Sequence, residues 1–243
     1  MPYEYLAFHY DALMRGLDYG VYADYLLSLS GRPRRVLDLA CGTGRLAAAL
    51  CERGCDVVAV DGSPEMLTVA RGRFDERAGA EAETQPLFLW QDMTALDLYG
   101  TVEAAFCTLD ALNYLASPKQ FQQALSRVKL FLEPGGAFVF DLLTPEALAA
   151  RDGAVFMSDA GEAYCVWCCS WKAPFCRQEV TLFSRRDGNL WERRDETHTE
   201  RAYELPLVEE MLKEAGFAEV KRYGMTQKDS FGEADERVVF WAR

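Results

Sequence analysis

Between Val36 and Leu143, five short apolar runs alternate with helix-like stretches, and no other feature constrains the fold as much. The runs are "VLDLA", "DVVAVD", "PLFLW", "VEAAFCT" and "AFVFDLL". Each is short and bounded by turn residues, which suits a buried strand. Between them lie "GRLAAALCERG", with Gly54 as a stop signal, and "SPEMLTVARGRF", with Ser63 as N-cap, Pro64 at the first helical position and Glu65 in the first turn. "SPKQFQQALSRVKLFL" repeats the Ser-Pro start and ends at "EPGG". Strand–helix alternation predicts a parallel sheet with helices on both faces.

The rhythm changes from about residue 152 to 204. Period-two strand signals take over in "AYCVWCCSWK", "RQEVTLFSR" and "NLWERRDETHTER", with Asp187-Gly188 as a hairpin signal. This predicts a small antiparallel sheet inserted into the α/β domain. The earlier pattern resumes with "PLVEEMLKEAGF", a helix stopped by Gly216, then "AEVKRYGM" and "RVVFWAR", a strand pair that can place an antiparallel strand on a parallel sheet. Residues 3–29 read as helical. The expected fold class is α/β: a doubly wound, mostly parallel seven-stranded sheet with an N-terminal helical segment and an antiparallel β insertion. The expected divisions are 1–30, 31–150, 151–204 and 205–243, within one domain.

Length and charge narrow the function. The 243 residues suit one large domain, and 38 acids against 26 bases give a net charge of −12. A general nucleic-acid binder needs a surplus of Lys and Arg, which is missing overall. "RPRR" at 32–35 reads as a solvated loop. The N-terminal stretch has no signal-peptide pattern, and no apolar run approaches the roughly 20 residues of a membrane span. With no export signal, the eight cysteines read as reduced thiols in a cytoplasmic protein. "CVWCC" with Cys176 offers thiolate spacing, but a second C-x-x-C is missing and a strand points Cys165 and Cys168 to opposite faces. No metal is expected.

The turn Gly42-Thr43-Gly44-Arg45-Leu46-Ala47 fits G-x-G-x-x-G/A, the pattern of dinucleotide-binding oxidoreductases. Two features oppose that reading. Asp38 lies inside the preceding strand, where a carboxylate repels a pyrophosphate and attracts a cation. Asp92 follows the third run, so Asp38, Asp61 and Asp92 stand at or near the carboxyl ends of three strands, where open α/β sheets bind ligands. Such a set suits a ligand with an ammonium group, a ribose diol, an exocyclic amine and no phosphate. S-adenosylmethionine has all of these.

In order and spacing, "VLDLACGTGRLA", "VVAVDGSPEML", "WQDM", "FCTLDALNYL" and "LEPGGAFVFDL" resemble the class I S-adenosylmethionine-dependent methyltransferases. The likeness covers residues 36–143, and "MLKEAGFAEV" extends it. The resemblance implies a Rossmann-like methyltransferase fold and a cofactor site at Asp38, Ala40, Gly42, Gly44, Asp61, Gly62, Met66, Asp92, Met93, Thr108 and Asp110. It implies that the glycines let the backbone approach the methionine part, that Asp61 accepts the ribose hydroxyls, and that Asp92 accepts the adenine amine. It makes 1–30 a lid, 31–150 the cofactor-binding core, 151–204 a β lid and 205–243 the completion of the core. "Y-D-x-L-M … D-Y-x-x-Y" near the N-terminus is similar to small-molecule methyltransferases, including aminosugar N-methyltransferases. "TLDALNY" replaces the "NPPY" associated with base or amide nitrogens. A small acceptor, an amine among the candidates, is therefore expected, with no nucleic acid and no membrane, and with a monomer or homodimer as the working unit.

Methyl transfer demands alignment, exclusion of water and, for a protonated acceptor, removal of a proton. Candidate groups near the pocket are Tyr10, Asp110, Asn113, Tyr114 and His198. His198 suits a general base near neutrality, against the alternative of a surface histidine on the charged "DETHTER" strand. Tyr10, Asn113 and Tyr114 have packing and capping alternatives. Two rival functions remain at this level: a nicotinamide- or flavin-dependent oxidoreductase, and a non-catalytic S-adenosylmethionine-binding module.

Overall fold

The structure, a computed structural model, describes residues 2–14, 16–75, 85–225, 231–232 and 235–243. A seven-stranded sheet runs in the order β10-β11-β5-β4-β1-β2-β3. Its strands are β1 (Arg35–Leu39), β2 (Asp56–Asp61), β3 (Leu87–Trp90), β4 (Val102–Cys107), β5 (Leu132–Leu143), β10 (Val220–Tyr223) and β11 (Arg237–Ala242). β11 pairs antiparallel with both neighbours, and the pairs among β1 to β5 are parallel. The expected sheet and its closing antiparallel strand are both present.

Alternate side chains of the strands feed two cores. Leu37, Leu39, Ala105 and Phe140 face α5 (Pro118–Phe131) and α7 (Leu205–Glu214). Val36, Ala104, Phe106 and Val139 face α2 (Tyr19–Leu29), α3 (Arg45–Cys51) and α4 (Pro64–Asp75). The period of two turns one short apolar run into a lining for both faces.

The N-terminal segment departs from one continuous helix. A 3-10 turn at Leu6–His9 leads into α1 (Tyr10–Leu13), and α2 starts afresh at Tyr19. Asp18 is the reason: its carboxylate accepts the N–H groups of Gly20 (2.9 Å) and Val21 (3.1 Å), an N-cap that begins a new helix. Ser63 caps α4 as expected, accepting from Met66 N at 3.1 Å. β5 starts at Leu132, earlier than the "AFVFDLL" run, because "EPGG" is drawn into the strand. There a Cβ on Gly136 would lie 2.8 Å from the Glu103 carbonyl of β4. A short helix, α6 (Pro145–Ala149), was not expected; Thr144 caps it.

The insertion is a four-stranded antiparallel sheet of β6 (Val155–Asp159), β7 (Ala163–Lys172), β8 (Phe175–Arg185) and β9 (Trp191–Arg201). β8 and β9 are joined across Asp187-Gly188, as the hairpin signal requires. Its inner face packs Cys165, Val180 and Leu182 on Leu6 and Leu13, and Cys169 and Cys176 on Leu143 and Leu148. The N-terminal segment is thus sandwiched between the two sheets. All eight cysteines are free, with Cys165 buried and Cys168 exposed. Among the described residues no cluster suited to a metal is present, and no helix is long and apolar enough to cross a membrane.

Candidate functional site

A cavity of about 360 Å³ opens at the carboxyl ends of β1, β2 and β4. Its floor is the turn after β1, from Asp38 to Thr43 with Arg45 and Leu46; one wall is Asp61–Met66 and another Gln91–Met93. Thr108, Leu109, Ala111, Tyr114 and Leu115 line the side below the small sheet, and Pro2, Tyr3, Tyr10 and Tyr19 cover it from the N-terminal segment.

Of the residues singled out in the sequence, Asp38, Ala40, Gly42, Asp61, Gly62, Met66, Asp92, Met93, Thr108, Tyr10 and Tyr114 stand on this cavity. Gly44, Asp110, Asn113 and His198 do not. Each exception has a physical reason. Gly44 is the left-handed N-cap of α3 (φ 73°), and a Cβ there would meet Ala70 Cβ at 3.1 Å. Glycine is required for α3–α4 packing at that point, whereas the left-handed Gly42 (φ 54°) faces the cavity and a Cβ would meet nothing nearer than Met66 Sδ at 4.0 Å.

Asp110 turns away to an ion pair with Arg237 at 2.6 Å. Leu109 and Asp110 are both left-handed (φ 60° and 56°), a strained pair for side chains of this kind. Asp141, fully buried in β5, accepts both of their N–H groups at 2.7 and 3.0 Å, and Arg237 from β11 also pairs with it. Asn113 is fully buried and its amide is committed: Nδ2 donates to Arg201 O (2.9 Å) and Leu143 O (3.4 Å), while Oδ1 accepts from Leu143 N (3.1 Å). It ties the turn after β4 to the ends of β5 and β9 and has no donor left for a ligand.

His198 is no surface residue. Alternate residues of the charged strand, Glu196, His198 and Glu200, point inward and are buried, with His198 only 3 % exposed. Its Nδ1 lies 3.0 Å from Tyr114 Oη and its Nε2 lies 3.1 Å from Glu196 Oε2. Tyr114 Oη is in turn 2.8 Å from Tyr3 Oη.

Three carboxylates at the sheet's ends behave differently. Asp38 is 1 % exposed, and its Oδ2 has no hydrogen-bond partner. Burial, with the nearby Asp61 charge adding to it, pushes its carboxyl up to about 7, partly offset by the Ala47 N–H. Asp61 braces the glycine turn, accepting Gly42 N at 2.7 Å and Ser63 N at 2.8 Å. Burial raises its carboxyl, against those hydrogen bonds. Asp92 caps the turn Met93–Ala95 through Thr94 N at 2.7 Å and is exposed at the cavity edge.

Sequence reasoning passed over several participants. Arg45, stacked 4.6 Å over Tyr19, is the one basic side chain among the described residues on the cavity wall. Asp11 accepts from Thr43 Oγ1 at 2.7 Å and pairs with Arg73, which fastens the N-terminal segment to the glycine turn. Glu196 fastens it to the small sheet by accepting N–H groups from Tyr3 (2.9 Å), Tyr5 and Leu6 (2.8 Å). Asp141 carried a usable signal, a lone acid in "FVFDLL"; Tyr3 and Arg237 carried none.

A buried acid with one unpartnered oxygen and one base on the same cavity floor fit the ammonium and carboxylate of an amino-acid ligand. The family described as "Methyltransferase domain" matches residues 36–136. A putative methyltransferase of Geobacillus sp. (strain WCH70) is 32 % identical, with both chains covered in full. The crystal structure of an S-adenosylmethionine-dependent methyltransferase from Clostridium acetobutylicum superposes with a TM-score of 0.86 at 27 % identity, over 99 % of this chain and 98 % of that one. An amino pentose methyltransferase from Micromonospora echinaspora, solved with S-adenosylmethionine bound, shares the fold at a TM-score of 0.73 and 21 % identity, over 94 % and 92 % of the two chains.

Proposed function

The chain belongs to the S-adenosylmethionine-dependent methyltransferases, and we propose that it methylates the amino group of a small, hydroxyl-bearing molecule. The observation that carries this reading is the set of phenols that the N-terminal segment and the turn after β4 bring to the cavity. Tyr3, Tyr10 and Tyr114 stand there beside Thr108, under the N-terminal segment. A polymer segment cannot enter without displacing that segment, and a net charge of −12 disfavours nucleic acid. Phenolic hydroxyls suit a polar, hydroxylated acceptor, in keeping with the amino pentose named for one protein of the same fold.

In this reading Asp38 and Arg45 hold the ammonium and carboxylate of the cofactor. Gly42 lets the backbone approach it, Asp61 accepts the ribose hydroxyls with its remaining lone pairs, and Asp92 and Met93 meet the adenine. When bound, S-adenosylmethionine supplies a methyl group on a sulfonium centre: the acceptor's lone pair forms the new bond to carbon as the carbon–sulfur pair returns to sulfur. The protein's part is to align the acceptor, exclude water through the N-terminal lid and remove a proton. Residues 1–30 act as the lid, 31–150 with 205–243 as the cofactor-binding core, and 151–204 as the roof over the acceptor. Eight free thiols suit a reducing compartment, the cytoplasm in this reading, with a monomer or homodimer as the working unit.

The test is a release assay for S-adenosylhomocysteine over paired acceptors, amino sugars and small amines against their hydroxyl-only counterparts. Turnover confined to the amines is expected. Turnover of the hydroxyl-only counterparts alone would overturn the amine assignment. Binding of S-adenosylhomocysteine with no turnover of any acceptor would favour the non-catalytic alternative.

A further inference from the structure

Four side chains form an unbroken hydrogen-bonded line from the cavity into the small sheet. It runs from Tyr3 Oη to Tyr114 Oη (2.8 Å), to His198 Nδ1 (3.0 Å), and from His198 Nε2 to Glu196 Oε2 (3.1 Å). Tyr3 and Tyr114 line the cavity; His198 and Glu196 do not. We propose that this line is a one-way proton relay that takes the proton of the acceptor's ammonium group to His198. The proposal rests on the amine reading above.

The direction follows from donor chemistry. Glu196 receives three backbone N–H groups besides the imidazole. Burial opposes its ionisation, but the hydrogen bonds from His198, Leu6 and Tyr5 outweigh it, and its carboxyl sits below the usual range. An ionised Glu196 can only accept, so Nε2 of a neutral His198 carries the hydrogen and Nδ1 is an acceptor. Tyr114 must then donate to Nδ1, Tyr3 must donate to Tyr114, and the Tyr3 oxygen keeps its lone pairs for the cavity. One concerted shift therefore balances. The ammonium N–H passes to Tyr3 Oη, the Tyr3 proton to Tyr114 Oη, and the Tyr114 proton to Nδ1. The amine is left neutral with a free lone pair, and an imidazolium forms against Glu196. Burial pushes both phenols well above their ordinary range, so neither rests as a phenolate and each serves as a conduit.

Other charges around the relay leave His198 as the acceptor. Asp110 lies near Tyr3 and Tyr114 but is paired with Arg237 at 2.6 Å. Glu200, two residues along β9, is raised by burial above the usual carboxyl range, and Arg151 lies 3.7 Å from it. Tyr10 packs edge-on to Tyr3 at 5.8 Å and adds no charge while it stays a phenol. Glu196 also accepts the Tyr3 backbone N–H, so the carboxylate that orients His198 helps hold Tyr3 in the line, and the relay is complete only with the N-terminal segment seated. His198 and Glu196 are positioning residues, since they act through the two tyrosines.

The first measurement needs no acceptor. The chain has two histidines, so long-range proton–nitrogen correlation of the ¹⁵N-labelled full-length protein resolves His198 beside His9. The expected neutral form is protonated at Nε2, and Tyr114→Phe should move the Nδ1 resonance. The opposite tautomer, or an unmoved Nδ1 resonance, overturns the relay. The second measurement is the pH profile of kcat/KM with an amine that turns over in the paired assay. Tyr114→Phe and His198→Gln should each lose about 100-fold near pH 6.5 and under about 10-fold near pH 9.5, where the amine deprotonates unaided. A loss of equal size at every pH marks a structural role and overturns the proposal. Absence of turnover with every amine overturns the amine reading and the relay's task, whatever the tautomer, so the two failures are told apart.

Discussion

Replacing Asp38 by Asn should strengthen the free protein and weaken its hold on the cofactor, with both effects governed by pH. The carboxyl is buried and pushed from an ordinary 3.8 to about 7. Its folded value lies above its unfolded one, so between about pH 4 and 7 the native state holds a proton that the unfolded chain has released. Stability therefore falls as pH rises through that window and is level above it. Three pH units at about 1.4 kcal/mol each set the loss at about 4 kcal/mol. The amide in Asp38→Asn cannot ionise and keeps a carbonyl oxygen to accept from the Ala47 N–H, so the variant should escape the loss. In a chain of this size the difference corresponds to a melting point about 10 °C higher at pH 8, shrinking to near zero at pH 4.

Ligand binding reverses the sign. An ammonium needs the ionised form of Asp38, so below about pH 7 binding must expel one proton and affinity falls about tenfold per pH unit. Titration calorimetry with S-adenosylhomocysteine at pH 6, in two buffers of different ionisation enthalpy, reads that proton directly. The wild type should release close to one proton more per ligand than Asp38→Asn, and the variant should bind about 10- to 100-fold more weakly at pH 7.5, the range for a lost charged hydrogen bond. Equal proton release in the two proteins, or a variant that melts lower at every pH, would refute the assignment.

Asp11→Ala removes the tie from the N-terminal segment to Thr43 and Arg73; if that segment acts as the proposed lid, the loss of about 1 kcal/mol should speed dissociation of S-adenosylhomocysteine about 5- to 10-fold in a competition assay. Gly44→Ala forces a Cβ into left-handed backbone and against Ala70; thermal melting should show a loss of about 2 kcal/mol or more, while Gly100→Ala, with open space around it, should change little. Among the eight thiols, Cys168 alone is exposed, and burial raises Cys41, Cys107 and Cys165, so a colorimetric disulfide reagent should titrate one thiol in the native protein and eight after unfolding.

The parts legible in the sequence are those set by local rules. Apolar runs of strand length, the Ser63 cap and the Asp187-Gly188 turn each act within a few residues, and each appears where local chemistry requires it. The acids at the strand ends were legible for the same reason, because strand ends and turns fix their positions. Long-range partners were not. Asp141 and Arg237 are 96 residues apart, and Glu196 meets Tyr3 across 193. No periodicity links such pairs. His198 illustrates the limit: "DETHTER" is charged at most positions and reads as solvated, yet its alternate residues face inward because each finds a polar partner there. Gly44 shows the converse, where a motif glycine is needed for helix packing and its match to a ligand-binding pattern does not reveal that.

The two ties of the N-terminal segment connect the halves of the site. Asp11 grips Thr43, a residue of the glycine turn, and Glu196 grips three backbone N–H groups while it orients His198. At a net of about 1 kcal/mol per hydrogen bond, these four bonds contribute about 4 kcal/mol to holding the N-terminal segment in place, beside the packing of Leu6 and Leu13. If residues 1–30 act as the proposed lid, Tyr3 leaves the proposed relay whenever they lift, so acceptor entry and proton removal fall in different states. On the proposed amine reading, the acceptor enters while charged and loses its proton only after water has been shut out, which would confine the reactive neutral amine to the closed site.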